Sequence, residues 1–198
     1  CTSQFRAKPE LPLPYRQAED AFRLGHYDRA VRGYRIFLQE GIHSELVPRA
    51  YYKMAQAEFR LGEHDRCLQT LAEMESRYPR ERWPQVHALR GDVEEARGNM
   101  VSAVRWWEEA WRIAELINSI YARAFSGWGL SACYQSLGLY EQALRITEPL
   151  LQDVLPLRKK EKKTPHYTVV VALITNDAGK ILIDNHCSFS CPCHCAAC

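Results

Sequence analysis

The sequence contains no apolar run that approaches the roughly 18 residues of a membrane-spanning helix. It also lacks a strong excess of one charge, since the formal net charge is +2 over 198 residues. The run from Arg158 to Lys163 alone carries +4, which leaves −2 for the rest of the chain. Because nucleic-acid binding needs a broad basic surface, the composition does not favour that function. The hydrophobic fraction of 46% and the charged fraction of 25% are ordinary for a soluble globular protein.

A catalytic constellation is also missing from the sequence. His26, His43, His64 and His87 fall at turns or helix starts, and no serine or cysteine lies at a spacing that indicates a nucleophile and base pair. The tryptophans around Trp107 follow helical spacing and indicate a core rather than a cofactor site. We therefore expect a non-enzymatic protein that uses no cofactor.

A short pattern, glycine-x-bulky-x-x-small, recurs four times along the chain. Its glycines are Gly25, Gly62, Gly98 and Gly138, at spacings of 37, 36 and 40 residues. A period in this range is typical of helical solenoids, in which each repeat is one supersecondary unit. Apolar residues at i, i+3, i+4 and i+7 around each glycine predict paired helices over residues 14–155. The pattern thus predicts an all-α solenoid of four hairpins whose extended surface serves for binding.

Over roughly 140 of the 198 residues, this pattern resembles the tetratricopeptide repeat family. The small residue midway along the first helix of each repeat is matched by Ala18, Ala55, Gly91 and Ser131. The alanine of the second helix is matched by Ala30, Ala103 and Ala143, with Cys67 as the departure. Small residues at these positions let the two helices of a hairpin approach closely. The resemblance implies a scaffold that binds a peptide or a helix of another protein in a concave groove.

The repeat register of the family predicts which side chains line that groove. They are Tyr15, Glu19, Phe22, Arg49, Tyr52, Lys53, Gln56, Phe59, Arg60, Gln85, Asp92, Glu95, Trp128 and Gln135. We expect Tyr52, Phe59 and Arg60 to form its centre and to make no contribution to helix packing. Chaperone-binding members hold a carboxylate with lysine and asparagine at positions that here carry Tyr15, Glu19, Tyr52 and Gln56. That activity is therefore not expected.

The first residues resemble the start of a mature bacterial lipoprotein. Cys1 is followed by a proline-rich stretch, so residues 1–13 are predicted to be a tether and Cys1 a lipidation site. This resemblance implies a periplasmic protein anchored at the outer membrane. The alternative is a fragment boundary at Cys1, which leaves a cytoplasmic location open.

After the helical region, the sequence predicts a basic linker over 156–166 and a β-hairpin over 167–184. Residues 155–184 resemble the linker and first hairpin of the Nudix-like C-terminal domain of adenine-specific DNA glycosylases, without a Nudix box. The alternative function is thus a fragment or accessory of a DNA-repair enzyme, and the alternative fold is the opening strand of a larger α/β domain. The basic run is predicted to be a solvated linker rather than a site for phosphate or anionic lipid.

Residues 185–198 form a cysteine-rich tail. Its potential metal ligands are His186, Cys187, Cys191, Cys193, His194, Cys195 and Cys198. Structural zinc sites usually take their ligands from two separated pairs, and these residues lie too close together for one such site. We expect a low-complexity end without a metal.

Overall fold

A computed structural model describes residues 11–40, 45–79, 82–160, 169–175 and 181–187, with side chains described as far as residue 150. These residues form eight helices and two strands. The elements are α1 (Leu13–Arg23), α2 (Tyr27–Gln39), α3 (Leu46–Arg60), α4 (His64–Arg77), α5 (Pro84–Ala96), α6 (Met100–Leu116), α7 (Ile120–Ser136), α8 (Tyr140–Lys160), β1 (Val169–Thr175) and β2 (Ile181–Cys187). The chain divides into two compact units, Cys1–Pro79 (unit 1) and Arg80–Cys198 (unit 2).

The four glycines of the repeated pattern end the first helix of each hairpin. Their φ angles are positive: 77° at Gly25, 76° at Gly62, 79° at Gly98 and 74° at Gly138. Only glycine adopts this left-handed conformation without steric cost. The conformation ends the helix and reverses the direction of the chain within a single residue. The following N–H then satisfies a carbonyl at the helix end, as when Asn99 N donates to Glu94 O at 2.8 Å. The repeated glycines thus set the predicted hairpins.

In unit 1, the two helices of the first hairpin meet at small residues. A Cβ placed on Gly33 of α2 would lie 2.9 Å from the Cβ of Ala18 in α1, so neither position has room for a larger side chain. Tyr34 and Phe37 fill the adjoining core and are fully buried. In the second hairpin, helix α3 packs against α4, and Ala55 of α3 is fully buried. The prediction that Ala18 and Ala55 occupy close-packed positions is confirmed.

In unit 2, the core forms around the indole of Trp107. Its buried members are Ala88, Ala103, Trp107, Ala110, Leu130 and Cys133. Trp107 of α6 lies against Gly91 of α5 and Gly129 of α7, where added Cβ atoms would collide with the ring. Burial of one large apolar side chain stabilises a fold by roughly 1.5–3 kcal/mol. Gly91 and Gly129 lower the helix propensity of α5 and α7, but they leave room for the ring of Trp107.

The ends of the helical region differ from the predicted boundaries. Helix α1 begins at Leu13, inside the predicted tether, and α8 continues through Pro156 to Lys160, inside the predicted linker. Pro156 therefore lies within α8 and does not end the helix. The remainder of the predicted linker and most of the tether lie outside the described residues.

Strands β1 and β2 pair antiparallel, in a register that joins Val169 to Cys187 and Thr175 to Ile181. This pairing agrees with the predicted hairpin. The second strand extends beyond the predicted end at Asp184, because the register gives each of the seven residues of β1 a partner. Residues 188–198, which hold most of the predicted cysteine-rich tail, lie outside the described residues.

Among the described residues, no helix has both the length and the apolar character required to cross a membrane.

Candidate functional site

Two predicted groove residues are buried, which corrects their assignment to an open surface. Tyr15 is 1% exposed, and its ring packs edge-on against Tyr34 at 5.9 Å and against Phe37 at 5.2 Å. Burial and then the charge of Glu19 raise the pKa of Tyr15 to about 12. Phe22 is 7% exposed and packs against Tyr27 of α2. Both rings pack inside the first hairpin, because burying a large apolar surface stabilises the fold more than leaving it in contact with water.

Six of the seven other predicted residues of unit 1 form one surface across α1 and α3, the α1–α3 face, and Phe59 is the exception. The face consists of Glu19, Arg49, Tyr52, Lys53, Gln56 and Arg60. Arg49 Nη2 lies 3.6 Å from Glu19 Oε2, and Lys53 Nζ lies 4.4 Å from the centroid of the Phe22 ring. These two contacts join side chains of α1 and α3 across the face. Phe22 therefore supports this face through the cation–π contact of its ring with the Lys53 ammonium group.

Glu19 is held from inside the hairpin as well as from the surface. Tyr34 Oη donates a hydrogen bond of 2.7 Å to Glu19 Oε1, while Arg49 approaches the other carboxylate oxygen. Burial and this hydrogen bond raise the pKa of Tyr34, so the phenol stays protonated as a donor. The sequence reasoning missed Tyr34 as a positioning residue, since its helical spacing indicates only core. Glu19 is consequently fixed in place on the face.

Along α3, polar and aromatic side chains support one another. Gln56 Nε2 donates to Tyr52 Oη at 3.1 Å, one helical turn away. Phe59 is half-buried and stacks on His64 of α4, with ring centroids 5.7 Å apart. This contact corrects the expectation that Phe59 takes no part in packing, because it joins the two helices of the second hairpin. Tyr52, half-buried, and Arg60, exposed, remain on the α1–α3 face.

In unit 2, the predicted residues lie on α5 and α7. Gln85, Asp92, Trp128 and Gln135 are half-buried, and Glu95 is exposed. Gln135 Nε2 donates to Ser131 Oγ at 3.3 Å and so folds back on its own helix. Helices α5 and α7 pack against each other and share the contact with Trp107. The structure thus brings these residues onto neighbouring helices.

Two exposed aromatic residues of α7 were missed by the sequence reasoning. Tyr121 is 52% exposed and Phe125 is 42% exposed, and they precede Trp128 by seven and three residues. That spacing places all three on one side of the helix. The signal was present in the sequence as an aromatic i, i+4, i+7 series. It was overlooked because the family register starts the groove of the fourth repeat at Trp128.

The comparisons with known proteins agree with the observed hairpins. Residues 49–80, which include most of α3 and all of α4, match the tetratricopeptide repeat family. Among solved structures, MamA has a TM-score of 0.56 at 16% identity, covering 74% of this chain and 79% of that chain. BtubC from P. vanneervenii has a TM-score of 0.60 at 16% identity, covering 82% of this chain and 70% of that chain.

The Rap protein, in complex with Competence and Sporulation Factor, has a TM-score of 0.62 at 14% identity. The match covers 74% of this chain but only 43% of the Rap chain. Comparison with curated protein sequences gives no match. At these identities the structural likeness shows the fold alone. The chain has the fold of a tetratricopeptide-repeat-like α-solenoid, as its sequence predicts.

Proposed function

We propose that this protein is a non-catalytic scaffold whose α1–α3 face binds a peptide or a helix of another protein. The observation that carries the proposal is the contact of Lys53 with Phe22 beside the Arg49 and Glu19 ion pair. A cation fixed above a ring, next to a fixed carboxylate, is a preorganised polar surface on an apolar base. Surfaces of this kind lose little conformational entropy when a partner binds.

The charges of this face favour an acidic partner. Arg49, Lys53 and Arg60 supply three cations, whereas Glu19 is the single carboxylate of the α1–α3 face as defined above. Arg49 retains a side-chain exposure of 62% despite its contact with Glu19, so it can reach a ligand. Tyr52 adds the aromatic surface that most often supplies binding energy at interfaces. The structural likeness to Rap, which was solved in complex with a factor, supports binding as the function of such hairpins.

Selection of a phage-displayed peptide library on the full chain tests this proposal. We expect the enriched peptides to contain Asp or Glu beside apolar residues. Replacing Tyr52 with alanine should weaken their binding by about 2 kcal/mol, or roughly thirtyfold, since aromatic residues at an interface centre carry most of its energy. Tyr140→Ala is the matched control, because Tyr140 is 42% exposed at the start of α8 and lies off this face.

Circular dichroism would verify that the helices of both variants are intact. If Tyr52→Ala binds every selected peptide as the parent does, the α1–α3 face is not the binding surface. Phe59 is unsuitable for this test, because removing its ring also removes the contact with His64.

Lipidation of Cys1, and with it an outer-membrane location, stays a prediction, since Cys1 lies outside the described residues. Mass spectrometry of protein from the native host tests it. An acylated terminal peptide would confirm the modification, and peptides that extend upstream of Cys1 would contradict it. The alternative role in DNA repair depends on residues 155–184, and no described side chain bears on it.

A further inference from the structure

The ion pair between Arg49 and Glu19 is more open than a hydrogen-bonded pair. Arg49 Nη2 lies 3.6 Å from Glu19 Oε2, and the Arg49 side chain is 62% exposed. A charge-assisted hydrogen bond from arginine to a carboxylate is shorter, at about 2.7–2.9 Å, and the guanidinium often engages both oxygens at once. The donors of Arg49 therefore remain accessible to the carboxylate of a ligand.

The other carboxylate oxygen of Glu19 is held by a residue of the core. Tyr34 of α2 is fully buried, and its Oη donates a 2.7 Å hydrogen bond to Glu19 Oε1. A hydrogen bond to an ionised group is about twice as strong as one between neutral groups. Glu19 would have to break this bond in order to present both of its oxygens to Arg49.

A second tyrosine in the same hairpin lacks this contact. Tyr15 precedes Glu19 by one turn of α1, and its ring packs against that of Tyr34 with centroids 5.9 Å apart. Tyr15 Oη is buried, and it makes no hydrogen bond within the part of the chain that the structure describes. The two phenols thus share an environment, but only that of Tyr34 is in hydrogen-bonding geometry with Glu19.

Loss of the Tyr34 hydroxyl would change the partner of Glu19. A partly buried carboxylate oxygen would be left without its donor, and an unsatisfied polar group of this kind is costly. Because Arg49 already lies beside the carboxylate, the two would close to a hydrogen-bonded pair. Glu19 would then compete with a ligand carboxylate for the same guanidinium, and a competitor within the same chain acts at a high effective concentration.

We propose that Tyr34 is a positioning residue that keeps Arg49 available to acidic partners by holding Glu19 out of a closed ion pair. This rests on the proposed function of the α1–α3 face, and it assigns control of that site to a buried residue that touches no ligand. The affinity of the face for carboxylates is thereby set from the core of the first hairpin as well as from its surface.

The test uses the full chain and two fluorescein-labelled 15-residue amphipathic peptides, which have identical apolar positions and carry either Glu or Gln at the polar ones. Binding is measured by fluorescence polarisation at physiological salt. We expect Tyr34→Phe to weaken binding of the Glu peptide about fivefold, the scale of one surface ion pair, and to leave the Gln peptide unaffected. Tyr15→Phe is the matched control, because it removes a buried hydroxyl from the same hairpin that makes no hydrogen bond to Glu19. It should leave the binding of both peptides unchanged.

A second background separates this role from a structural one. Glu19→Gln removes the competing carboxylate, so it should strengthen binding of the Glu peptide. In that background, Tyr34→Phe should have no further effect on the same peptide. A loss of core packing would instead weaken binding of both peptides in both backgrounds. Circular dichroism would verify that the helices of each variant are intact.

The side-chain Nε–H resonance of Arg49 in NMR spectra gives a readout that needs no ligand. Its assignment follows from its loss in Arg49→Lys. Closing of the ion pair should shift this resonance in Tyr34→Phe, whereas Tyr15→Phe should leave it in place.

Three results would contradict this role of Tyr34. The first is an Arg49 resonance that moves neither in Tyr34→Phe nor in a double variant with Tyr15→Phe, which also removes the neighbouring phenol. The second is equal weakening of the Glu and Gln peptides by Tyr34→Phe. The third is weakening of the Glu peptide that persists in the Glu19→Gln background.

The same measurements distinguish failure of this role from failure of the proposed function. Glu-peptide binding that depends on Tyr52 and Arg49 but not on Tyr34 contradicts the positioning role alone. Binding that neither Tyr52→Ala nor Arg49→Gln weakens shows that the α1–α3 face does not hold the peptide, and it contradicts both proposals.

Discussion

The absence of a side chain at Gly91 makes room for the indole of Trp107. A Cβ placed on Gly91 would lie 2.6 Å from both Cδ1 and Nε1 of that ring, a distance that packed atoms do not adopt. The family resemblance predicts only that this position is small. The structure shows which side chain requires it to be glycine, and that side chain is the centre of the unit 2 core.

Gly91→Ala should therefore destabilise unit 2, although alanine is the better helix former. Alanine favours an isolated helix over glycine by about 1 kcal/mol, but overpacking against Trp107 costs roughly 1–3 kcal/mol. Urea unfolding followed by circular dichroism measures the net effect. A second substitution, Trp107→Leu, should make the Gly91→Ala change stabilising by removing the clash. A Gly91→Ala variant more stable than the parent would show that α5 moves aside.

Ala103 offers a second test of the same core. It is fully buried in the cluster around Trp107, so Ala103→Leu should cost roughly 1–3 kcal/mol in the free energy of unfolding. Val101→Leu, on the same helix, is the control because Val101 is 65% exposed and has space for the added methylene. Thermal unfolding of both variants is the measurement. Equal midpoints for the two would contradict the close packing of α5 and α6.

The turn glycines differ from Gly91, because glycine is needed there for its backbone conformation rather than for lack of space. A Cβ on Gly62 would meet nothing within 4 Å, yet its φ angle is +76°. We expect Gly62→Ala to destabilise unit 1 by about 1–2 kcal/mol, the cost of the left-handed conformation for an L-residue. Gly62→Asn should cost less, since asparagine visits this region more readily. Chemical unfolding of both variants would distinguish strain from crowding, and equal losses would contradict this account.

Glu58 gives unit 1 a predictable dependence on pH. Its carboxylate is 2% exposed and accepts a 2.7 Å hydrogen bond from Thr70 Oγ1, with Arg35 at 4.0 Å and Glu63 and Arg66 nearby. Burial raises the pKa of Glu58 above its ordinary value of 4.5, and outweighs the lowering by Thr70 and Arg35. The folded state thus holds a proton that the unfolded chain loses more readily.

This contribution to stability is fully present below pH 4.5 and is lost as the pH rises through the folded pKa. Glu58→Gln should remove this loss, so that the variant gains stability relative to the parent between pH 4.5 and pH 7. Urea unfolding at several pH values measures the difference. Glu40→Gln, at an exposed position, is the matched control for the loss of a carboxyl group. A difference between Glu58→Gln and the parent that does not change with pH would contradict the prediction.

The sequence by itself determined the hairpins, because their signals are local. Gly62 between two amphipathic segments can end one helix and begin another whatever surrounds it, and Ala18 or Ala55 marks a close approach through its size alone. The spacing of these residues also determined the number of repeats. The sequence could place Tyr52, Lys53 and Arg49 on α3 by the same register.

Tertiary structure alone decided which groove positions are open. Tyr15 and Tyr52 hold equivalent places in the repeat, yet Tyr15 is buried against Tyr34 and Phe37 while Tyr52 is half-exposed. Phe59 likewise turns toward His64, and Phe125 remains partly exposed above Trp107. Periodicity gives the direction in which a side chain leaves its helix, but its burial depends on the neighbours that the packed helices bring to it.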